Sequence, residues 1–312
     1  MDGRLHDDEI DVDEGLVRRL LGTLSPSYAG LPLHPLDATG STNALFRLGD
    51  DLLVRLPRQP GGTATIDKER RWLPYVASRL PVAVPEVVAV GEPAFGYPER
   101  WSVVRFLHGD RPTLPQPGEA RHGLARDLAG VVRSLGDLPV PVEADGDPSL
   151  EWYRGRPLAT MDADMHGFLD QCGGLVDEDG FDLDLHRARL VWEQTVRMPE
   201  AARARSARWY HGDLNAENLL VRDGRLVAVL DFGGLSVGDP TNDLAVAWQL
   251  LDPAARTTFR TALAVDDVTW RLARGWALVL ALMGPPYYWH TLRERCLRGL
   301  HTARAVLADA AG

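Results

Sequence analysis

A chain of 312 residues, 45% hydrophobic and 25% charged, has the make-up of an ordinary globular protein and enough length for two packed lobes. Its formal net charge of −10 argues against a nucleic-acid partner, because phosphate backbones are gripped by clustered Lys and Arg, and would suit a cationic ligand. Two cysteines, Cys172 and Cys296, offer no disulfide framework or metal-ligand spacing, and with no signal-peptide pattern and no apolar run long enough to span a bilayer, a cytoplasmic protein without membrane contact is expected.

In chain order, Leu16, Val17, Leu20, Leu21 and Leu24 recur with a helical period inside residues 11–24. Residues 45–48 and 52–56 are short apolar runs around Gly49-Asp50-Asp51, which predicts a hairpin. Residues 66–80 read as a second helix, which Pro74 is expected to kink or cut short. Residues 82–90 and 101–107 are strand-like. After Gly109 the pattern turns to longer helices, at 120–135 and 185–197, with a Pro-, Asp- and Gly-rich surface loop at 137–152. Two β-branched runs, 219–221 and 226–230, precede helices that continue to the C-terminus. Sheet first and helices after predicts an α+β fold of two lobes: an N-terminal lobe over 1–104, a hinge at 105–109 and a C-terminal lobe over 110–312.

The chemistry is concentrated in His211-Gly212-Asp213-Leu214-Asn215-Ala216-Glu217-Asn218 and, beyond it, Leu230-Asp231-Phe232-Gly233. Asp223-Gly224 between the two apolar runs is a two-residue hairpin turn. That turn pairs Arg222 with Arg225 and, counting back, Asn218 with Val229. Asp231 lies two residues further on, so strand alternation puts it on the same face as Asn218, with the oxygens about 7–8 Å apart. An amide and a carboxylate so placed suit Mg2+, which keeps several waters and takes one or two protein oxygens plus nucleotide phosphates. Asp213, five residues before Asn218, could take the proton of an incoming hydroxyl during phosphoryl transfer. Each residue alone could be a cap, a turn former or a strand end. Together they point to Asp213 as catalytic base and to Asn218 and Asp231 as metal ligands, with His211 a buried brace.

The H-G-D-x-x-x-x-N and D-F-G elements, followed by Gly238-Asp239-Pro240-Thr241-Asn242-Asp243-Leu244, resemble the aminoglycoside phosphotransferase family, the small-molecule branch of the protein-kinase-like fold. Gly212 stands where protein kinases have arginine. The resemblance implies a β-rich N-lobe and a mainly helical C-lobe, Mg2+ with ATP or GTP as phosphoryl donor, and a small hydroxylated molecule as acceptor. An antibiotic such as an aminoglycoside or macrolide leads; a housekeeping kinase for a sugar, a choline-like compound or an amino-acid alcohol is the first alternative, a nucleotide-binding pseudokinase the second. A monomer or homodimer is expected.

The same resemblance assigns the nucleotide phosphates to Gly40, Ser41, Thr42 and Asn43. It puts Arg55 in place of the family's third-strand lysine, a change that arginine's bidentate grip on phosphate tolerates. Lys68, the chain's single lysine, lies on the helix beside Glu69, and Glu69 is the expected partner of Arg55. Backbone atoms of Arg105, Phe106 and Leu107 are expected against the nucleotide base, and Asp243 behind the catalytic loop. On the acceptor side, Trp152, Tyr153, Trp276, Tyr287, Tyr288 and Trp289 could stack on rings or cations or serve as core. The acidic stretch of Asp162, Asp164, Asp177, Glu178 and Asp179 could meet ammonium groups or be a solvated face.

Overall fold

Residues 9–36, 43–112 and 119–311 are described by a computed structural model, in which the chain divides into two units. The first is Met1–Gly109 with Ala228–Gly233, the second Asp110–Val227 with Gly234–Gly312. The segment 228–233, grouped by its sequence position with the C-terminal lobe, thus packs with the N-terminal unit.

The first unit opens with α1 (Glu14–Leu24), capped by Asp13, whose Oδ1 accepts the Leu16 N–H at 2.6 Å. Its period puts Leu16, Val17, Leu20 and Leu21 on one buried face. After the short α2 (Pro26–Ala29) come β1 (Leu33–Leu36), β2 (Asn43–Leu48), β3 (Leu52–Pro57), α3 (Thr63–Ala77), β4 (Val87–Gly91) and β5 (Trp101–Arg105). The strands form one antiparallel sheet in the order β1-β2-β3-β5-β4. The expected hairpin is β2–β3, with Leu48 opposite Leu52 and Gly49 at φ +58° in the turn. Phe46, Leu48, Val54, Leu56, Trp101 and Val103 join the buried face of α1 in one core.

One expectation is narrowed and one needs correction. Of the two outcomes expected of Pro74, a kink or an end to the helix, the second does not occur. α3 runs on to Ala77, because Pro74 is exposed within a turn of the helix end while Trp72, Leu73 and Val76 anchor the buried side. The strand expected from residue 82 starts at Val87. Ala83 instead bridges to Ala228, and its carbonyl accepts the Val229 N–H at 3.0 Å.

The second unit contains α4 (Ala120–Asp137), α5 (Asp162–Cys172), α6 (Leu185–Val196), β6 (Arg208–Tyr210), β7 (Leu219–Arg222), β8 (Arg225–Val229, whose last two residues belong to the first unit), β9 (Ser236–Gly238), α7 (Val246–Leu250), α8 (Pro253–Leu263), α9 (Asp267–Leu282), α10 (Pro285–Tyr288) and α11 (Arg293–Asp309). Strand β6 pairs with β9, and β7 with β8. Asp223 (φ +51°) and Gly224 (φ +72°) make the two-residue turn between β7 and β8, a conformation that Asp-Gly adopts at low cost. Helix α9 is buried along nearly its whole length, with Trp276 in the core. The expected loop at 137–152 holds two 3-10 turns, Val142–Ala144 and Pro148–Leu150, pinned by the buried Ala144 and Leu150. No helix among the described residues is long and apolar enough to cross a membrane.

Candidate active site

In the second unit the H-G-D-x-x-x-x-N segment forms the loop from β6 to β7. The loop is held from behind by the Asp239–Ala245 turn: Asp243 accepts the N–H groups of His211 (2.6 Å) and Gly212 (2.7 Å), and Asn242 Nδ2 donates to the Gly212 carbonyl (2.8 Å). Burial pushes the Asp243 carboxyl above its ordinary value, against the pull of His211 and of the two N–H donors. His211 is fully buried, and its Nδ1 accepts the Asp213 N–H at 3.1 Å. This ring braces the loop.

Gly212 adopts φ +85°, and a Cβ there would lie 2.6 Å from both the Gly234 carbonyl oxygen and the Trp152 ring. Only glycine fits.

The Asp213 carboxylate is held by three donors. Arg154 Nη1 reaches Oδ1 at 2.8 Å, and the Nδ2 atoms of Asn215 and Asn218 reach Oδ2, each at 3.1 Å. Its side chain nevertheless keeps 37% of its surface open, so an incoming group can reach it. Asn218 Nδ2 also donates to the Asp213 carbonyl at 2.9 Å, which leaves Oδ1 as the acceptor atom of that amide. Asn215 builds the approach to β7, its side chain accepting the Glu217 N–H at 2.8 Å. Two of these donors, Arg154 and Asn215, were missed from sequence. Asn215 lies inside the motif at a position that the D-x-x-x-x-N pattern leaves open. Arg154 belongs to a turn far upstream, with no periodic or spacing signal to mark it.

In the first unit, Arg55 on β3 and Glu69 on α3 are 6% and 1% exposed. They meet through two parallel bonds, Nη1 to Oε2 at 2.8 Å and Nη2 to Oε1 at 3.2 Å. Burial works against the Arg55 charge, but the carboxylates of Glu69 and Asp231 outweigh it and hold the guanidinium above its ordinary value. The first unit therefore brings Arg55, Glu69 and Asp231 into one charge cluster. Asp231 has φ +55°, and its Oδ1 accepts the Gly233 N–H at 3.3 Å.

Strand alternation does not set the positions of Asn218 and Asp231. Asn218 belongs to the 3-10 turn Ala216–Asn218 ahead of β7, and Asp231 follows the end of β8 in a left-handed conformation. Period-two geometry directs neither side chain.

Of the other expected nucleotide residues, Asn43 begins β2 opposite Pro57, while Gly40, Ser41 and Thr42 lie outside the described residues. Two backbone donors among the residues expected at the base are already engaged, Arg105 N–H by the Glu86 carbonyl (2.9 Å) and Phe106 N–H by that of Asp51 (2.8 Å). The Arg47 guanidinium covers the Phe106 ring at 3.4 Å.

Of the aromatic residues expected to meet an acceptor or serve as core, Trp276 and Trp289 are core residues, while Tyr287 is 65% exposed. Trp152 lies against Gly212 and Gly234, and the Tyr153 hydroxyl accepts from Arg154 Nε at 3.0 Å. Asp162 accepts the Trp192 indole N–H at 2.8 Å, Asp179 lies 3.7 Å from Arg293, and Glu217 is paired with Arg298.

Among the described residues no group of three or more His, Cys, Asp or Glu side chains could hold a metal by itself. Asn218 Oδ1 in the second unit and the Asp231 carboxylate in the first are each hard oxygen donors, of the kind that Mg2+ takes together with water and phosphate.

The family model described as the phosphotransferase enzyme family, APH, matches residues 35–276. An aminoglycoside 3'-phosphotransferase from Escherichia coli is 36% identical over 223 residues, covering 67% of this chain and 73% of the relative. Among solved structures, the GDP complex of aminoglycoside 2'-phosphotransferase-IIIa superposes with a TM-score of 0.70 at 18% identity, covering 96% of this chain and all of the other. A macrolide 2'-phosphotransferase from Brachybacterium faecium gives a TM-score of 0.62 at 23% identity, covering 92% and 98%. The fold is accordingly the bilobal, kinase-like α+β fold that these enzymes share. The chain belongs to the aminoglycoside phosphotransferase (APH) family and is a phosphotransferase acting on a hydroxyl group of a small molecule.

Proposed function

We propose that this enzyme transfers the γ-phosphoryl group of ATP or GTP to a hydroxyl of an antibiotic, an aminoglycoside or macrolide being the leading acceptors. The observation that carries the reading is the Asp213 carboxylate, fixed by three donors yet open to an incoming group. In the proposed step Asp213 takes the proton of the acceptor hydroxyl as its oxygen bonds to the γ-phosphorus. The bond from that phosphorus to the β–γ bridging oxygen breaks, and the nucleoside diphosphate leaves with the bonding pair. Arg55, oriented by Glu69, is assigned to the nucleotide phosphates, together with Gly40, Ser41, Thr42 and Asn43; Leu107 and the backbone of Arg105 and Phe106 are assigned to the base. Asn218 and Asp231 would hold Mg2+, which when bound supplies positive charge against the phosphate oxygens. Two free buried thiols, Cys172 and Cys296, fit a reducing compartment and support a cytoplasmic location.

The test is release of ADP or GDP across a panel of kanamycin, a macrolide, choline and simple sugars. Acceptor-dependent release with an antibiotic is expected. Turnover confined to choline or a sugar would make this a housekeeping kinase, and none with any acceptor would favour a nucleotide-binding module. Asp213→Asn is expected to lower kcat by about 10²- to 10⁴-fold, the usual span of general-base catalysis.

A further inference from the structure

Arg154 lies 59 residues before Asp213 in the chain, in the turn Tyr153–Gly155, and is 9% exposed. One of its nitrogens, Nη1, donates both to the Gly212 carbonyl at 2.9 Å and to Asp213 Oδ1 at 2.8 Å. The guanidinium has little freedom to leave. Its Nε is tied to the Tyr153 hydroxyl at 3.0 Å, and the Trp152 ring lies 4.4 Å from its central carbon. Gly212 leaves no room for a side chain of its own, so positive charge beside Asp213 has to come from outside the loop.

An ionised carboxylate has about four acceptor sites, two on each oxygen. On Asp213, Asn215 and Asn218 take both sites of Oδ2, and Arg154 takes one on Oδ1. The one left for a substrate proton is on the oxygen that Arg154 holds. What Arg154 contributes there is orientation. Phosphoryl transfer passes through a loose transition state that asks more of position than of base strength.

Resting on the assignment of Asp213 as base, we infer that Arg154 is the positioning residue of this phosphotransferase, fixing the carboxylate so that Oδ1 presents its open site to the acceptor hydroxyl.

The test uses the full chain and ATP hydrolysis with water as acceptor, so it needs no identified antibiotic. Arg154→Gln keeps an amide donor for the Gly212 carbonyl and removes the charge at Asp213. It is expected to lower kcat about 100-fold while leaving the ATP KM within about twofold. Arg154→Lys retains the charge and a donor for both oxygens but loses the planar grip; about a tenfold loss is expected, and this variant carries the test should the glutamine form fail to fold. In the Asp213→Asn background Arg154→Gln should cost nothing more, because both residues act through one carboxylate. Unchanged kcat in the Arg154 variants overturns the inference, as does a loss that appears only in KM or one that multiplies undiminished onto Asp213→Asn. If Asp213→Asn itself retains full turnover, the base assignment is what fails, and the inference falls with it.

Discussion

Arg55 stands where the family resemblance leads one to expect a lysine, and it sits in a buried ion pair with Glu69. A buried ion pair contributes little net stability by itself, but removing one partner strands the other charge. Glu69→Ala would leave Arg55 with Asp231 as its remaining carboxylate neighbour, and about 3 kcal/mol of destabilisation is expected together with a rise in the nucleotide KM. Urea unfolding and nucleotide titration check this, and an unmoved urea midpoint would mean that the pair is not formed in solution. Arg55→Ala is expected to raise the nucleotide KM or lower kcat; normal values of both would send the phosphates to another ligand. The pair was legible beforehand because one partner sits at a motif position and the other on a recognisable helix. Arg154 was not legible, because a single arginine in an irregular turn leaves no trace in periodicity and its role exists only through where the chain returns.

At the scale of elements, the helix that carries Glu69 has an unusual start. Gly62 occupies the cap position of α3 and offers no side chain. The orphan donors go instead to Glu99, whose Oε1 accepts the Gly61 N–H and Oε2 the Thr63 N–H, each at 2.8 Å, with the Thr63 hydroxyl at 2.5 Å. A carboxylate there also meets the positive end of the helix dipole. Burial alone would raise the Glu99 carboxyl, but the Thr63 hydroxyl and the two N–H groups overcome it and hold the group below its ordinary value. For a depressed carboxyl, the stabilisation is complete above the ordinary carboxylate range and is lost as pH falls through the folded value. Glu99→Gln should therefore cost about 1 kcal/mol near neutral pH, and the two proteins should converge in acid. Thermal unfolding across pH tests this, and a gap that persists undiminished in acid would remove the carboxylate from the cap. No sequence rule finds a cap supplied from 36 residues away. The same limit explains the strand-based placement of Asn218 and Asp231: the hairpin was visible in Asp223-Gly224, but where each strand stops depends on local turns such as the one Asn215 closes.

For the whole molecule, the consequential feature is that the chain enters the N-terminal unit twice. Composition divides sheet from helices near residue 105, and nothing in a linear pattern reveals that residues 228–233 return. Yet Ala83, between α3 and β4, gives its carbonyl to Val229, and Arg55 depends on Asp231 as well as Glu69 for the charge that offsets its burial. The N-terminal unit therefore has no complete covalent counterpart in residues 1–109. A fragment of those residues is expected to unfold at lower urea than the same fragment extended by a flexible linker into residues 228–233. The difference should be about 2–4 kcal/mol, the sum of one backbone hydrogen bond and one charge-assisted interaction. Equal midpoints for the two fragments would show that the returning segment only passes over this unit. A midpoint restored by the segment but not by its Asp231→Ala form would assign the gain to the carboxylate beside Arg55. Supply of the D-F-G aspartate would then be part of how the sheet unit holds its buried arginine, so that Asp231→Ala in the full enzyme should lower stability as well as turnover.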